Sequence, residues 1–229
     1  MSDEHPPTGS AREPAIVVDL WTDVVCPWCY VAKTRMRTAI EGWVRPSEVL
    51  VRHRAYELDP GMPRGAGTTL AAFLGRQYDG DERAGARLTH EVSAMAARDG
   101  WRLDLSRVTQ ANSFDAHRLV ALGRDLGGPA LEDAMLERLF SAHFIEGLAV
   151  DEHDVLLRCA AEAGLDERRV AAVLASTTEA DRVRADEEEA ARLGVTLVPH
   201  ALANGRAAVS GAQPVEAYTQ MLRAALGES

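Results

Sequence analysis

The sequence predicts an α/β protein, a small sheet domain of order βαβ…αββα interrupted by a large α-helical insertion. Three observations carry this. Ile16 to Tyr56 reads strand, helix, strand. From about Thr68 to Thr177 the apolar spacing is nearly all helical. From Glu179 onward the pattern returns to helix, hairpin and helix. The 229 residues are 46% hydrophobic and 26% charged, enough to bury a core without disulfide staples or a structural metal. Aromatic residues make up only 5%, so that core is mostly Leu, Val and Ala.

Ile16 to Trp21 is short, apolar and rich in β-branched residues, a buried strand with one odd member, Asp19. After a short loop, apolar residues recur at Trp28, Ala32, Met36, Ala39, Ile40 and Trp43 with helical spacing. Pro27 suits the first turn, where its missing N–H costs nothing. Gly42 and Pro46 are stop signals, and Val49 to Tyr56 is a second strand. In the middle of the chain, Thr68 to Gln77 and Asp81 to Arg98 read as helices. Ser113 to Leu126 is another, ended by Gly127-Gly128-Pro129. Leu131, Met135, Leu139, Phe140 and Phe144 mark the next. Val155, Leu156, Cys159, Ala160 and Ala163 form a further stripe, with Asp151 placed to cap it. A charged helix runs from Glu179 to Leu193. His200–Ala203 and Ala207–Ser210 flank Asn204-Gly205, a strong hairpin signal. Val215, Tyr218, Met221, Leu222, Ala225 and Leu226 make a terminal amphipathic helix. The crossover rule lets the first two strands lie parallel, with the hairpin adding antiparallel ones.

Charge excludes some functions. Twenty-five basic against 35 acidic residues give −10, a surface that repels phosphate backbones and anionic lipid. Neither nucleic acid nor a membrane is expected as a partner. The run Asp186-Glu187-Glu188-Glu189 is expected to be a solvated helix face. No apolar run approaches the ~20 residues of a membrane span. Residues 1–14 are polar, with two adjacent prolines and no secretory layout, and read as a disordered leader. A cytoplasmic protein is expected. Oligomeric state is not readable.

The chemistry centres on Cys26-Pro27-Trp28-Cys29. A two-residue gap at a helix start brings both sulfurs within reach of a small disulfide ring and makes them inequivalent. Cys26 takes the cap position, where free backbone N–H groups and the positive end of the helix dipole favour a thiolate. Cys29 lies one turn inside. Cys26 is therefore the attacking sulfur and Cys29 the resolving one. Half of a zinc site is the competing explanation, but no second such pair exists, and Cys159 lies in an apolar helix stripe, where unpaired cysteine behaves as a small hydrophobe. No metal site is expected, and dithiol exchange needs no cofactor. Glutathione or another low-molecular-weight thiol is a candidate redox partner.

Pro199 is the second anchor. A cis bond there would expose the Val198 backbone groups to an extended substrate beside Cys26. Proline at a strand start is also ordinary, and cis costs only ~0.5–1 kcal/mol relative to trans. Asp19 and Asp23 are alternative proton shuttles for Cys29. His53 and His90 are expected at the surface.

The segment Asp23-Val24-Val25-Cys26-Pro27-Trp28-Cys29-Tyr30 resembles the FrnE-like branch of the DsbA family of thiol–disulfide oxidoreductases. Gly194 to Pro199 is similar to that family's cis-proline loop. Asn204-Gly205 and Val209 to Pro214 are similar to its closing hairpin and final helix, and Asn112 to Leu119 to a segment of its insertion. The resemblance runs in order from about residue 15 to 227. It implies a thioredoxin-fold domain over 15–60 and 179–229 with a helical insertion over 61–178. It implies a nucleophilic Cys26, a resolving Cys29, supporting Pro27 and Trp28, and a cis Pro199. The implied partners are thiol- or disulfide-containing proteins or small molecules, which Val198 would bind. Asn112 and His117 would face the dithiol from the insertion, although Asn112-Ser113 is equally a helix cap. His200 stands where relatives usually carry an aromatic or aliphatic residue; it either tunes the dithiol or faces solvent. Trp28 replaces the histidine of the periplasmic oxidants, which removes one source of thiolate stabilisation. The alternative activity is a glutathione-dependent isomerase or transferase, related to 2-hydroxychromene-2-carboxylate isomerase and kappa-class glutathione transferases. Those proteins typically carry serine at the position of Cys26.

Overall fold

Strand β1 (Ile16–Thr22) pairs in parallel with β2 (Val49–Ala55), from Ile16 opposite Val49 to Thr22 opposite Ala55. The structure, a computed structural model, describes residues 14–78 and 80–227. All of the expected leader except Pro14 lies outside the described residues. Helix α1 (Pro27–Glu41) connects the two strands and ends on Gly42, as its punctuation predicts. β3 (His200–Ala203) adds to β1 antiparallel, and β4 (Ala207–Ser210) adds to β3, giving the order β2-β1-β3-β4. The hairpin turns on Asn204 (φ 49) and Gly205 (φ 66), the left-handed pair that an Asn-Gly turn supplies at least cost. Asn204 also exchanges hydrogen bonds with Val17, its side chain accepting from Val17 N at 2.8 Å and its own N donating to Val17 O at 2.8 Å.

Helices α2 (Leu70–Gln77), α3 (Glu82–Arg98), α4 (Phe114–Phe144), α5 (His153–Ala163) and α6 (Glu167–Leu174) build the insertion. Thr69, Asp81 and Asp166 cap three of them through their side chains. Helix α7 (Ala180–Arg192) and helix α8 (Val215–Ala225) return the chain to the sheet. The fold class is the one the sequence predicts. Gly127-Gly128-Pro129 breaks the helical run as expected: Gly128 adopts φ 66, ψ −159, which divides α4 into two helices that meet at a kink. Asp151 does not cap α5. Its Oδ2 accepts from Gly65 N at 2.9 Å and Asn112 N at 3.3 Å, tying two loops together.

One sheet face packs on α1 and α8 through Leu20, Met36, Tyr218 and Leu222. A second apolar cluster runs from Trp21, Cys29 and Tyr30 into Leu119, Phe140 and Phe144 of the insertion. Each such fully buried Leu or Phe stabilises by roughly 1.5–3 kcal/mol. The two cysteines therefore sit where sheet domain and insertion share a core. Polar ties hold α1 in that position. Lys33 reaches Asp133 at 2.9 Å and Glu137 at 2.7 Å. Arg35 grips Asp99 at 2.6 Å and the Ala212 carbonyl at 2.8 Å.

Candidate active site

β1 ends at Thr22, and a short turn delivers Cys26 to the N-cap of α1, with Pro27 in the first helical position. Asp23 builds that turn. Its carbonyl accepts from Cys26 N at 3.1 Å, its Oδ1 from Val25 N at 3.2 Å and its Oδ2 from Leu58 N at 2.7 Å. Both cysteines are thiols, and Cys29 has no exposed surface. Burial foremost, then a hydrogen bond to the Cys26 thiol and its charge, hold the Cys29 proton well above the usual thiol range; the Asp23 backbone opposes this and its carboxylate adds to it.

The Val198–Pro199 peptide bond is cis. The Cys26 thiol points at the Val198 carbonyl, 3.9 Å away. It makes no capping bond to the first turn of α1, whose N-terminal dipole would favour a charged sulfur at this position. Cys26, Pro27, Trp28 and Val198 line a groove of about 290 Å³, closed on its far side by Phe73 and Tyr78 of and beyond α2 and by Leu197. None of the described residues lining this groove is charged. Its apolar walls and the Val198 backbone beside Cys26 suit an extended apolar segment.

The other sequence candidates lie elsewhere. His117 is buried behind the turn, not in the groove, with its Nε2 3.4 Å from Asp23 Oδ1. Asn112 braces loops: its amide donates to Met62 O at 2.8 Å and its Oδ1 accepts from Phe114 N at 3.2 Å. His200 is half-buried on β3, its Nδ1 2.8 Å from Ser210 Oγ and its ring beside Trp21. Asp19 is engaged by Arg52 and Arg54, which leaves Asp23 as the carboxylate beside the dithiol. His53 is buried, not at the surface, and bonds Asp133 at 2.9 Å. Asp186 is not solvated either; it holds Arg54 and the Ala55 amide. Among the described residues no group of His, Cys, Asp and Glu side chains could hold a metal ion, and no helix is long and apolar enough to cross a membrane. Sequence reasoning missed Phe73 and Tyr78, because nothing in the local pattern of α2 marks a wall built across the fold.

A profile of DSBA-like thioredoxin domains matches residues 17–223. The chain belongs to the DsbA-like thioredoxin family. This DsbA-like protein is similar to a probable DsbA oxidoreductase of Streptomyces coelicolor, with 36% identity over 93% of this chain and 91% of that one and a TM-score of 0.87. It shares its fold with the cytosolic disulfide reductase DsbM of Pseudomonas aeruginosa, at 24% identity over 92% and 98% of the two chains and a TM-score of 0.60. It also shares its fold with a 2-hydroxychromene-2-carboxylate isomerase, at 20% identity over 92% and 94% of the two chains and a TM-score of 0.64. No curated protein matches it significantly. Family, fold and neighbours together make the DsbA-like protein a thiol–disulfide oxidoreductase.

Proposed function

We propose that Cys26 and Cys29 carry the exchange, and that the observation supporting this is their inequivalence: both are buried, but Cys26 lines the uncharged groove beside Val198, whereas Cys29 does not reach it and has no exposed surface. Cys26 attacks a substrate disulfide and forms a mixed disulfide. Cys29 then attacks the Cys26 sulfur, releases the substrate thiolate and closes the Cys26–Cys29 ring. Asp23 takes the Cys29 proton. Pro27 and Trp28 shape the rim, and Val198 with Pro199 aligns the substrate. Run backwards, the same steps oxidise a thiol.

The partner proposed is a thiol or disulfide of a protein or of a small molecule such as glutathione. The Pseudomonas aeruginosa reductase has also been solved with glutathione. The CPWC segment and the loop ending in Val198-Pro199 support assignment to the FrnE-like branch. A three-cysteine composition and a cytosolic relative support a cytoplasmic location. Retention of both cysteines favours redox exchange over glutathione-dependent isomerisation.

The test is a pair of substitutions in an insulin-reduction assay with mass spectrometry. Cys26→Ser is expected to abolish turnover. Cys29→Ser is expected to stop turnover and accumulate a mixed disulfide on Cys26. Full activity of Cys26→Ser overturns the assignment.

A further inference from the structure

Cys29 is sealed from water, yet each resolving step must remove its proton. Between the sheet and the insertion lies a cavity of about 160 Å³. Three nearly fully buried side chains line it, His53, His117 and Glu132, and each has one polar atom without a partner: His53 Nδ1, His117 Nε2 and Glu132 Oε2. Three unsatisfied groups around one cavity, large enough for several waters, are what a hydrated interior requires. The half-exposed Arg182 also lines it and leads to the surface.

We propose that His117, supplied by the insertion, is a positioning residue that works through Asp23 and passes the Cys29 proton into this cavity. The proposal rests on Cys29 being the resolving thiol. Asp23 backs the turn that carries both cysteines, its carbonyl accepting from Cys26 N at 3.1 Å while Cys29 N donates to Cys26 O at 3.0 Å, and its carboxylate helps to raise the Cys29 pKa. Asp23 Oδ1 stands 3.4 Å from His117 Nε2, within ion-pair range but outside hydrogen-bond geometry, so a small shift closes the gap. The balance is simple. Cys29 S–H attacks the mixed disulfide, and the Cys26–Cys29 bond forms as the bond to the substrate sulfur breaks. The proton goes to the Asp23 carboxylate, while protonated His117 releases one to cavity water. Transfer from Asp23 to His117 restores both charges, and the departing thiolate takes a proton from solvent.

The groups around His117 are consistent with this. Burial disfavours its charge, but Asp23, Glu57 and Glu187 outweigh burial and raise its pKa. Across the cavity stand His53, Arg54, Arg124, Glu132, Arg182 and Asp186. His143, in the second half of α4, also feels Asp23 and is held by the Leu148 carbonyl at 3.1 Å.

The test is stopped-flow oxidation of the reduced protein by glutathione disulfide, followed by tryptophan fluorescence from pH 5 to 9. The concentration-dependent phase reports attack by Cys26, and the plateau reports resolution by Cys29. In His117→Asn the plateau at pH 6 is expected to fall about tenfold or more and to rejoin the wild type near pH 9, with the first phase within twofold. An unchanged plateau profile overturns the proposal, as does an equal loss in both phases. Should His117→Asn not fold, histidine-ring NMR on the wild type decides. Linkage is reciprocal, so the His117 titration midpoint must differ between dithiol and disulfide forms; an identical midpoint overturns the proposal. Exchange surviving in Cys26→Ser would instead defeat the dithiol assignment beneath it.

Discussion

Glu132 is 1% exposed and pairs with Arg124 at 3.2 Å. Burial, opposed by Arg124 and the His53 backbone and aided by Asp186, pushes its carboxyl up to about 7. An unfolded chain releases that proton near 4.5 and the folded protein keeps it until about 7. The native state therefore binds more protons across this window, and stability falls as pH rises through it. Above both values the loss is roughly 3 kcal/mol. Glu132→Gln removes the titration. Its stability relative to the wild type, from urea unfolding, is expected to rise by roughly 3 kcal/mol between pH 4.5 and pH 8. A pH-independent difference would show that the carboxyl titrates normally. Near pH 7 Glu132 is poised between its two forms, so the cavity it lines can take up and release a proton in that range.

Helices α2 and α3 cross so closely that glycine is required at the contact. A Cβ on Gly85 would come within 1.8 Å of the Ala71 carbonyl oxygen and 2.7 Å of Gly75 N. Both obstacles are backbone, so neither can turn aside. Gly85→Ala must separate the helices, and it is expected to cost about 1–3 kcal/mol in urea unfolding. Because α2 carries Phe73 and leads to Tyr78, the same change should slow exchange with an aromatic disulfide more than with a small hydrophilic one. Unchanged stability would mean that the crossing is loose. At this scale the strands and α1 were legible because periodicity and punctuation agree there, down to the Asn204-Gly205 turn. The two halves of α4 were legible as helices, and so was the break between them, because Gly127-Gly128-Pro129 marks it. Asp151 was misread as a cap because its partners, Gly65 and Asn112, are remote in sequence. Short α6 was hidden in a uniformly helical pattern.

At the scale of the whole molecule, the sequence marks the residues at the centre of the site and misses its surroundings. The CPWC segment and Val198-Pro199 announce themselves by spacing and by proline. The acidic run from Asp186 looked solvated, but its first member turns inward to Arg54, a pairing that exists only once α7 packs on β2. Groove walls likewise come from α2, far along the chain from Cys26. What the composition does fix is the long-range field. The chain carries −10, while the described groove lining has no cation to hold an anion. A disulfide approaching Cys26 is therefore steered by net charge alone. Dianionic glutathione disulfide should react faster as salt rises, and dicationic cystamine slower. Each rate is expected to change on the order of tenfold between 0.01 M and 1 M salt, over which the screening length falls from about 30 Å to 3 Å. Opposite slopes, rather than absolute rates, are the signature, since the two disulfides differ in intrinsic reactivity. Second-order rate constants over that salt range decide the matter. A falling rate for glutathione disulfide would reveal a cationic subsite at the dithiol, and an uncharged groove could not then be the surface that receives the substrate.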